Sequence, residues 1–160
     1  MKIGIAGTGR MGEAIGLRLI GLGHELTVWN RTAEKTKALA AAGARVAASP
    51  PAVVTAAEIV LTILTDDKAI EALYNGPHGL LSGAATGKLF IEMSTVRPEA
   101  EIALAEKVRR KGAALVECPV GGTTGPARDG KLFGFAGGTD ADMARARPLL
   151  EQMCRRVEHV

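Results

Sequence analysis

Apolar positions along the chain fall into short continuous runs, separated by stretches in which they recur every three or four residues. Residues 3–6 form the first run, and Met11, Ala14, Ile15, Leu19 and Leu22 then take up a helical spacing. A run this short reads as a buried strand, and the longer period as a helix lying on it. The alternation repeats, with runs at 25–29, 45–47, 58–64, 88–93, 113–117 and 132–136 predicting further strands and 155–160 an eighth, edge strand. Helices are predicted between them: from a Thr32 cap to Ala42, from Ser49-Pro50-Pro51 to about Ala57, after Thr65-Asp66-Asp67 through Ile70 and Leu73, from Pro98, and from Thr139. The order predicts an α/β fold: a doubly wound, mostly parallel sheet of about eight strands with helices on both faces.

Local signals sharpen these boundaries. Pro98 opens its helix with Glu99 and Glu101 early and Arg109-Arg110-Lys111 late, and Gly112 follows, an arrangement that complements the helix dipole. Thr139 with Asp142 resembles a capping box, and Pro148 is expected to kink or interrupt the last helix. Residues 75–87 and 118–126 are rich in glycine and proline and read as turns and loop.

At 160 residues, with 47% apolar content, one domain spanning the whole chain is expected, burying about 70% of its unfolded surface. The net charge of +3 is small and scattered, which argues against nucleic acid as a partner. No run has the length of a membrane span or the form of a signal peptide. Cys118 and Cys154 lack metal-ligand spacing and read as free cytosolic thiols, so a cytoplasmic location is expected.

Candidate chemistry starts in the first turn. Gly7-x-Gly9-x-x-Gly12 sits between strand and helix, where the first glycine permits the tight turn, the second lets a pyrophosphate approach bare backbone, and the third lets helix and sheet pack closely. The helix N-terminus adds free N–H groups for the phosphates. About twenty residues on, the second strand ends at Asn30-Arg31-Thr32, where the adenosine ribose of a dinucleotide falls. An acid here would bind both ribose hydroxyls and repel a 2′-phosphate. Neutral Asn30 followed by Arg31 therefore favours NADP(H) over NAD(H), and a charge-assisted contact of this kind is worth roughly 1.5–3 kcal/mol, or about ten- to a hundredfold.

Leu64-Thr65 and Ser94-Thr95 follow the fourth and fifth strands, at the carboxyl rim where open α/β sheets bind ligands. Thr95 is a candidate partner of the nicotinamide side, with an ST-turn before Pro98 as the structural alternative. Gly121-Gly122-Thr123 belongs to the same rim and could hold a substrate carboxylate on stacked N–H groups. Asp66-Asp67 read as helix caps and Met11 as a core residue. His24, His78 and His159 form no triad or metal spacing, so no metal is expected. No residue qualifies as the proton donor for a carbonyl reduction.

Taken together, Gly7-Thr8-Gly9-Arg10-Met11-Gly12, Trp29-Asn30-Arg31-Thr32, Glu92-Met93-Ser94-Thr95-Val96 and Glu117-Cys118-Pro119-Val120-Gly121-Gly122 resemble the β-hydroxyacid dehydrogenase family, which includes 3-hydroxyisobutyrate dehydrogenase, glyoxylate/succinic semialdehyde reductase and 6-phosphogluconate dehydrogenase. The imine reductases are relatives. The resemblance runs in order along the whole chain and implies a Rossmann domain. It implies that Gly7, Gly9, Arg10, Met11 and Gly12 hold the pyrophosphate, that Asn30, Arg31 and Thr32 form an NADP-preferring adenosine side, that Thr95 lies near the nicotinamide, and that residues 119–123 anchor the substrate. Gly121 stands where the family usually has serine, and Thr123 where it has a second glycine.

The family's proton-transfer lysine belongs to a glycine-rich turn and long helix beyond the last strand, followed by an all-helical domain that often dimerises. Lys68 and Lys131 do not match its position. The resemblance therefore implies the cofactor half of a reductase acting on a small β-hydroxy acid or aldehyde acid, with the helical domain absent from this chain, little or no turnover by the chain alone, and a homodimer possible. A non-catalytic nucleotide-sensing or assembly module is the alternative.

Overall fold

The computed structural model describes residues Met1–Val160. Six strands form one all-parallel sheet: β1 (Lys2–Ala6), β2 (Glu25–Trp29), β3 (Arg45–Val46), β4 (Ile59–Thr62), β5 (Leu89–Glu92) and β6 (Ala114–Glu117), in the spatial order β3-β2-β1-β4-β5-β6. The winding reverses between β1 and β4, which opens a crevice at their carboxyl ends.

Strand alternation supplies two hydrophobic layers. Ile3 and Ile5 of β1, Ile59 and Leu61 of β4, and Leu89 and Ile91 of β5 face one core, with Ala14, Ile15 and Leu19 of α1 (Arg10–Gly21) and Met143, Ala146 and Leu150 of a C-terminal helix. Ala6, Val60 and Phe90 face the other. That second core holds Val53 and Val54 of α3 (Pro50–Ala56), Leu73 and Tyr74 of α4 (Asp67–Tyr74), and Leu104 and Val108 of α5 (Pro98–Arg110). Each fully buried Leu, Ile or Phe contributes about 1.5–3 kcal/mol. Two layers explain why strands β4 and β5 are apolar without alternation: both of their faces are covered.

The expected single sheet of eight strands is corrected. Beyond the six-stranded sheet a separate three-stranded one forms from β7 (Val120–Gly121), β8 (Leu132–Ala136) and β9 (Cys154–His159), with β7 antiparallel and β9 parallel to β8. A lone bridge between Glu117 and Gly137 joins the two sheets. The stretch expected as loop at 118–126 instead contains β7 and opens α6 (Thr124–Asp129), whose Ala127 is buried in the first core.

Three local expectations change as well. A short 3-10 turn at Ala33–Thr36 precedes α2 (Lys37–Ala41), and the Thr32 side chain makes no capping bond. The last helix, α7 (Asp140–Met153), runs on through Pro148. Pro148 and Ala144 are both exposed, so the carbonyl that proline leaves unpaired meets water instead of the core. Of the box at Thr139, one half forms: Asp142 N–H donates to Thr139 Oγ1 at 3.1 Å.

Candidate cofactor-binding site

The glycine turn crosses the crevice at the end of β1. Gly7 has φ +102°, and a Cβ on it would stand 2.5 Å from the Ile63 carbonyl oxygen. A Cβ on Gly12 would stand 2.0 Å from the Gly7 carbonyl oxygen, whereas one on Gly9 would meet nothing within 4 Å. Two glycines thus let backbone pack on backbone, and the middle one leaves an open face. Helix α1 starts at Arg10 with Gly9 as its cap, which offers no side chain. Its first N–H groups are therefore left for an anion, with the positive end of the dipole behind them. Arg10 is exposed and Met11 half-buried against the first core.

At the end of β2, Asn30 does something the sequence did not reveal. Its Oδ1 accepts the Thr8 N–H at 2.9 Å, and its Nδ2 donates to the Thr32 carbonyl at 3.0 Å. Thr8 is buried, and its hydroxyl donates to the Lys35 carbonyl at 2.9 Å. Asn30 and Thr8 thereby fasten the glycine turn to the loop after β2. Asn30, expected at the adenosine side, also accepts a bond from the turn. The side chains of Arg31 and Thr32 are exposed, and Arg31 has no ion-pair partner.

Between this loop and α4 lies a groove of about 490 Å³, lined by Gly7, Trp29, Asn30, Arg31, Pro50, Leu64, Ala69, Ala72, Leu73, Asn75, Pro77 and His78. Its walls are mostly apolar, it carries one guanidinium and no carboxylate, and it is of a size to take a flat heterocycle. Leu73 and Leu64 were legible as core or rim residues, but Pro77 and His78, in the turn-rich stretch after α4, carried no signal for this role.

The rim continues at β4 and β5. Leu64 N–H donates to Ser94 Oγ at 2.7 Å, and Ser94 N–H donates to Glu92 Oε1 at 2.8 Å. Glu92 Oε2 accepts the Thr62 hydroxyl, which lies 2.6 Å from the Tyr74 hydroxyl. Burial pushes the Glu92 carboxyl up from its ordinary value, and hydrogen bonds from Ser94 and Thr62 oppose that shift. Thr65 and Thr95 project from this rim into solvent. Asp66 caps α4 by accepting the Ala69 N–H at 2.8 Å, while Asp67 pairs with Arg97 at 2.6 Å.

The segment after β6 leaves beside the end of β5: Glu117 is the register partner of Glu92, and Cys118 N–H donates to the Glu92 carbonyl at 2.7 Å. Gly121 lies in β7 opposite Phe133, so it is a strand residue and not part of an open loop; Gly122 and Thr123 are exposed. The groove brings together Gly7, Asn30, Arg31 and Leu64. Thr32, Thr65, Thr95 and residues 121–123 do not line it. Lys68 and Lys131 are exposed.

Comparison with known proteins agrees with this geometry. The family described as the NAD binding domain of 6-phosphogluconate dehydrogenase matches over residues 2–160. The cytokine-like nuclear factor N-PAC of Xenopus tropicalis is 40% identical over 137 residues, covering 86% of this chain and 26% of that protein. A solved structure of Psf3 in complex with NADP+ and 2-OPP superposes with a TM-score of 0.95 at 33% identity, over 99% of this chain and 56% of that one. The 3-hydroxyisobutyrate dehydrogenase of Mycobacterium tuberculosis, solved with L-serine, gives 0.93 at 28% identity, over 99% and 53%. The chain thus spans about a quarter of the N-PAC relative and about half of the solved chains.

Proposed function

Because the chain belongs to the 6-phosphogluconate dehydrogenase NAD-binding domain family, we propose that its groove takes NADP(H) in preference to NAD(H), as the cofactor half of an oxidoreductase acting on a small β-hydroxy acid or aldehyde acid. The observation that carries the preference is Arg31: an unpaired, exposed guanidinium on a groove without a carboxylate. A 2′-phosphate would meet Arg31 and the Thr32 hydroxyl with no acid to repel it. The pyrophosphate would rest on Gly7, Gly9 and the N–H groups of Arg10, Met11 and Gly12, and the adenine on the wall formed by Ala69, Ala72 and Leu73 of α4. Leu64, Thr65 and Thr95 would flank the nicotinamide end. When bound, the nicotinamide supplies or accepts a hydride. Gly121, Gly122 and Thr123 would anchor the substrate carboxylate, and the helical domain of a full-length protein would hold the proton-transfer lysine.

Titration of NADPH and NADH by fluorescence tests this. Arg31→Ala is expected to raise the NADPH Kd about ten- to a hundredfold and to collapse the preference over NADH. Equal affinities for the two cofactors, unchanged by the substitution, would remove Arg31 from this role.

Other features of the whole protein belong to the same proposal. Both cysteines are free and buried, which supports a reducing compartment such as the cytoplasm. No helix is long and apolar enough to cross a membrane. Phe133 and Phe135 are exposed on the three-stranded sheet, which supports a helical domain or a second copy covering that face.

A second reading, a nucleotide-sensing or assembly module without catalysis, is favoured by one observation: the N-PAC relative is named as a nuclear factor and not as an enzyme. The gene beyond Val160 separates the two. An in-frame G-x-x-G-x-G-x-x-x-K segment supports the enzyme, and a stop codon supports the module.

A further inference from the structure

The structure assigns Glu92 as a positioning residue: a buried carboxylate that holds the nicotinamide-side rim, at Leu64 and Ser94, in register with the helix that walls the adenine groove. This rests on reading the groove as a cofactor site. Glu92 is fully buried at the end of β5 and is reached from three directions. Ser94 N–H donates to Oε1 at 2.8 Å. Thr62, at the end of β4, donates its hydroxyl to Oε2. Tyr74, the last residue of α4, lies 2.6 Å from the Thr62 hydroxyl and 3.4 Å from Oε2.

With Thr62 donating to the carboxylate, Tyr74 donates to Thr62, and the three groups form one chain of hydrogen bonds. On its other side Ser94 passes the constraint on, since its Oγ accepts the Leu64 N–H at 2.7 Å. Leu64 stands at the glycine-turn end of the groove, beside Gly7, and Ala69, Ala72 and Leu73 of α4 wall the rest of it. One carboxylate therefore ties together the ends of β4 and β5 and the C-terminus of α4, without itself lining the groove.

Both oxygens of the carboxyl group are in use. Every group around the two oxygens is a donor, and a glutamine would turn an N–H₂ toward donors at one end or the other. The rim would then lose either the Ser94 bond or the Thr62–Tyr74 chain.

The test measures binding of NADPH and of 2′,5′-ADP, which carries only the adenosine half, by titration calorimetry. Wild type is expected to bind both; if it binds neither, the cofactor reading fails and not this assignment. Glu92→Gln is expected to weaken NADPH about tenfold and 2′,5′-ADP less, since only the Thr62–Tyr74 side reaches the helix that walls the adenine groove. Glu92→Asp, which keeps both oxygens, is expected to recover part of the loss. Ser94→Ala removes the link to Leu64 yet leaves Thr62 and Tyr74 on the carboxylate, so it decides the matter if Glu92→Gln does not fold. It is expected to weaken NADPH about three- to tenfold, with 2′,5′-ADP held within about twofold. NADPH affinity unchanged in these variants would overturn the assignment. So would parallel losses of both ligands together with thermal stability, the mark of a purely structural role.

Discussion

Gly12→Ala is expected to raise the NADPH Kd by at least about a hundredfold and to destabilise the fold by about 1–3 kcal/mol, a Tm loss of roughly 2–4 °C per kcal/mol. The added methyl would stand 2.0 Å from the Gly7 carbonyl oxygen and 3.3 Å from Ile63 Cγ2. The first contact is with backbone, so no rotamer change relieves it. Helix α1 would have to lift from the glycine turn, and its N–H groups would leave the phosphate position with it.

Gly9→Ala provides the contrast. Nothing lies within 4 Å of a Cβ there, and the residue has φ −65°, which alanine adopts freely. Thermal stability should be unchanged, while NADPH affinity falls, because the methyl occupies the face that bare backbone offers to the pyrophosphate. Thermal unfolding and fluorescence titration of the two variants separate a glycine required by the fold from one required by the ligand. Equal Tm values for Gly12→Ala and wild type would refute the packing argument.

These two glycines were legible in the sequence because their roles follow from spacing between a strand and a helix. The same holds for β1, β2 and α5, where periodicity and capping residues agree. The six-stranded sheet was readable as a class, since strands such as β4 and β5 are apolar throughout. Its limits were not. The separation of β7, β8 and β9 depends on pairings between residues far apart in the chain, such as Phe133 with Gly121 and Arg156. Likewise, glycine and proline at 118–126 hid α6, which forms because Ala127 finds a place in the core.

Around the crevice, the exposed side chains Arg31 and Thr95 could be nominated as candidates from strand ends alone. The residues that fix the frame could not. Asn30 reads as an adenosine-side residue, but no local pattern shows that it also holds the Thr8 N–H, 22 residues earlier. The Thr62–Tyr74–Glu92 cluster joins positions 12 to 30 residues apart, and none of the three has a linear pattern that marks it. Local spacing reports what a loop presents to a ligand, while tertiary folding decides what holds that loop still.

Glu101 carries the second large effect. It lies in α5, where a position near the helix start reads as favourable for an acid. Instead its side chain is buried, and neither carboxylate oxygen has a hydrogen-bond partner. Burial first, and then the charges of Glu92, Glu117 and Asp67, raise its pKa from 4.5 to about 8. Arg97, the nearby cation on the same helix entry, is taken up by Asp67. The folded chain therefore holds a proton that the unfolded chain releases. The stability this gives is fully present below pH 4.5 and is lost as pH rises through about 8.

Stability should accordingly fall between pH 5 and pH 9, with Glu101 accounting for about 1–3 kcal/mol, the cost of an unsatisfied buried polar group. Glu101→Met replaces it with an apolar side chain of good helix propensity. Denaturant unfolding should show the variant more stable than wild type at pH 9, by about that amount, and the gap narrowing toward pH 5, where the protonated carboxyl keeps only the smaller cost of an unpaired neutral group. Glu101→Gln, neutral at every pH, should flatten the profile in the same way with a smaller gain, because its amide stays unpaired. Parallel pH profiles for wild type and both variants would mean that Glu101 is hydrated in the folded protein and ionises as an ordinary surface carboxylate.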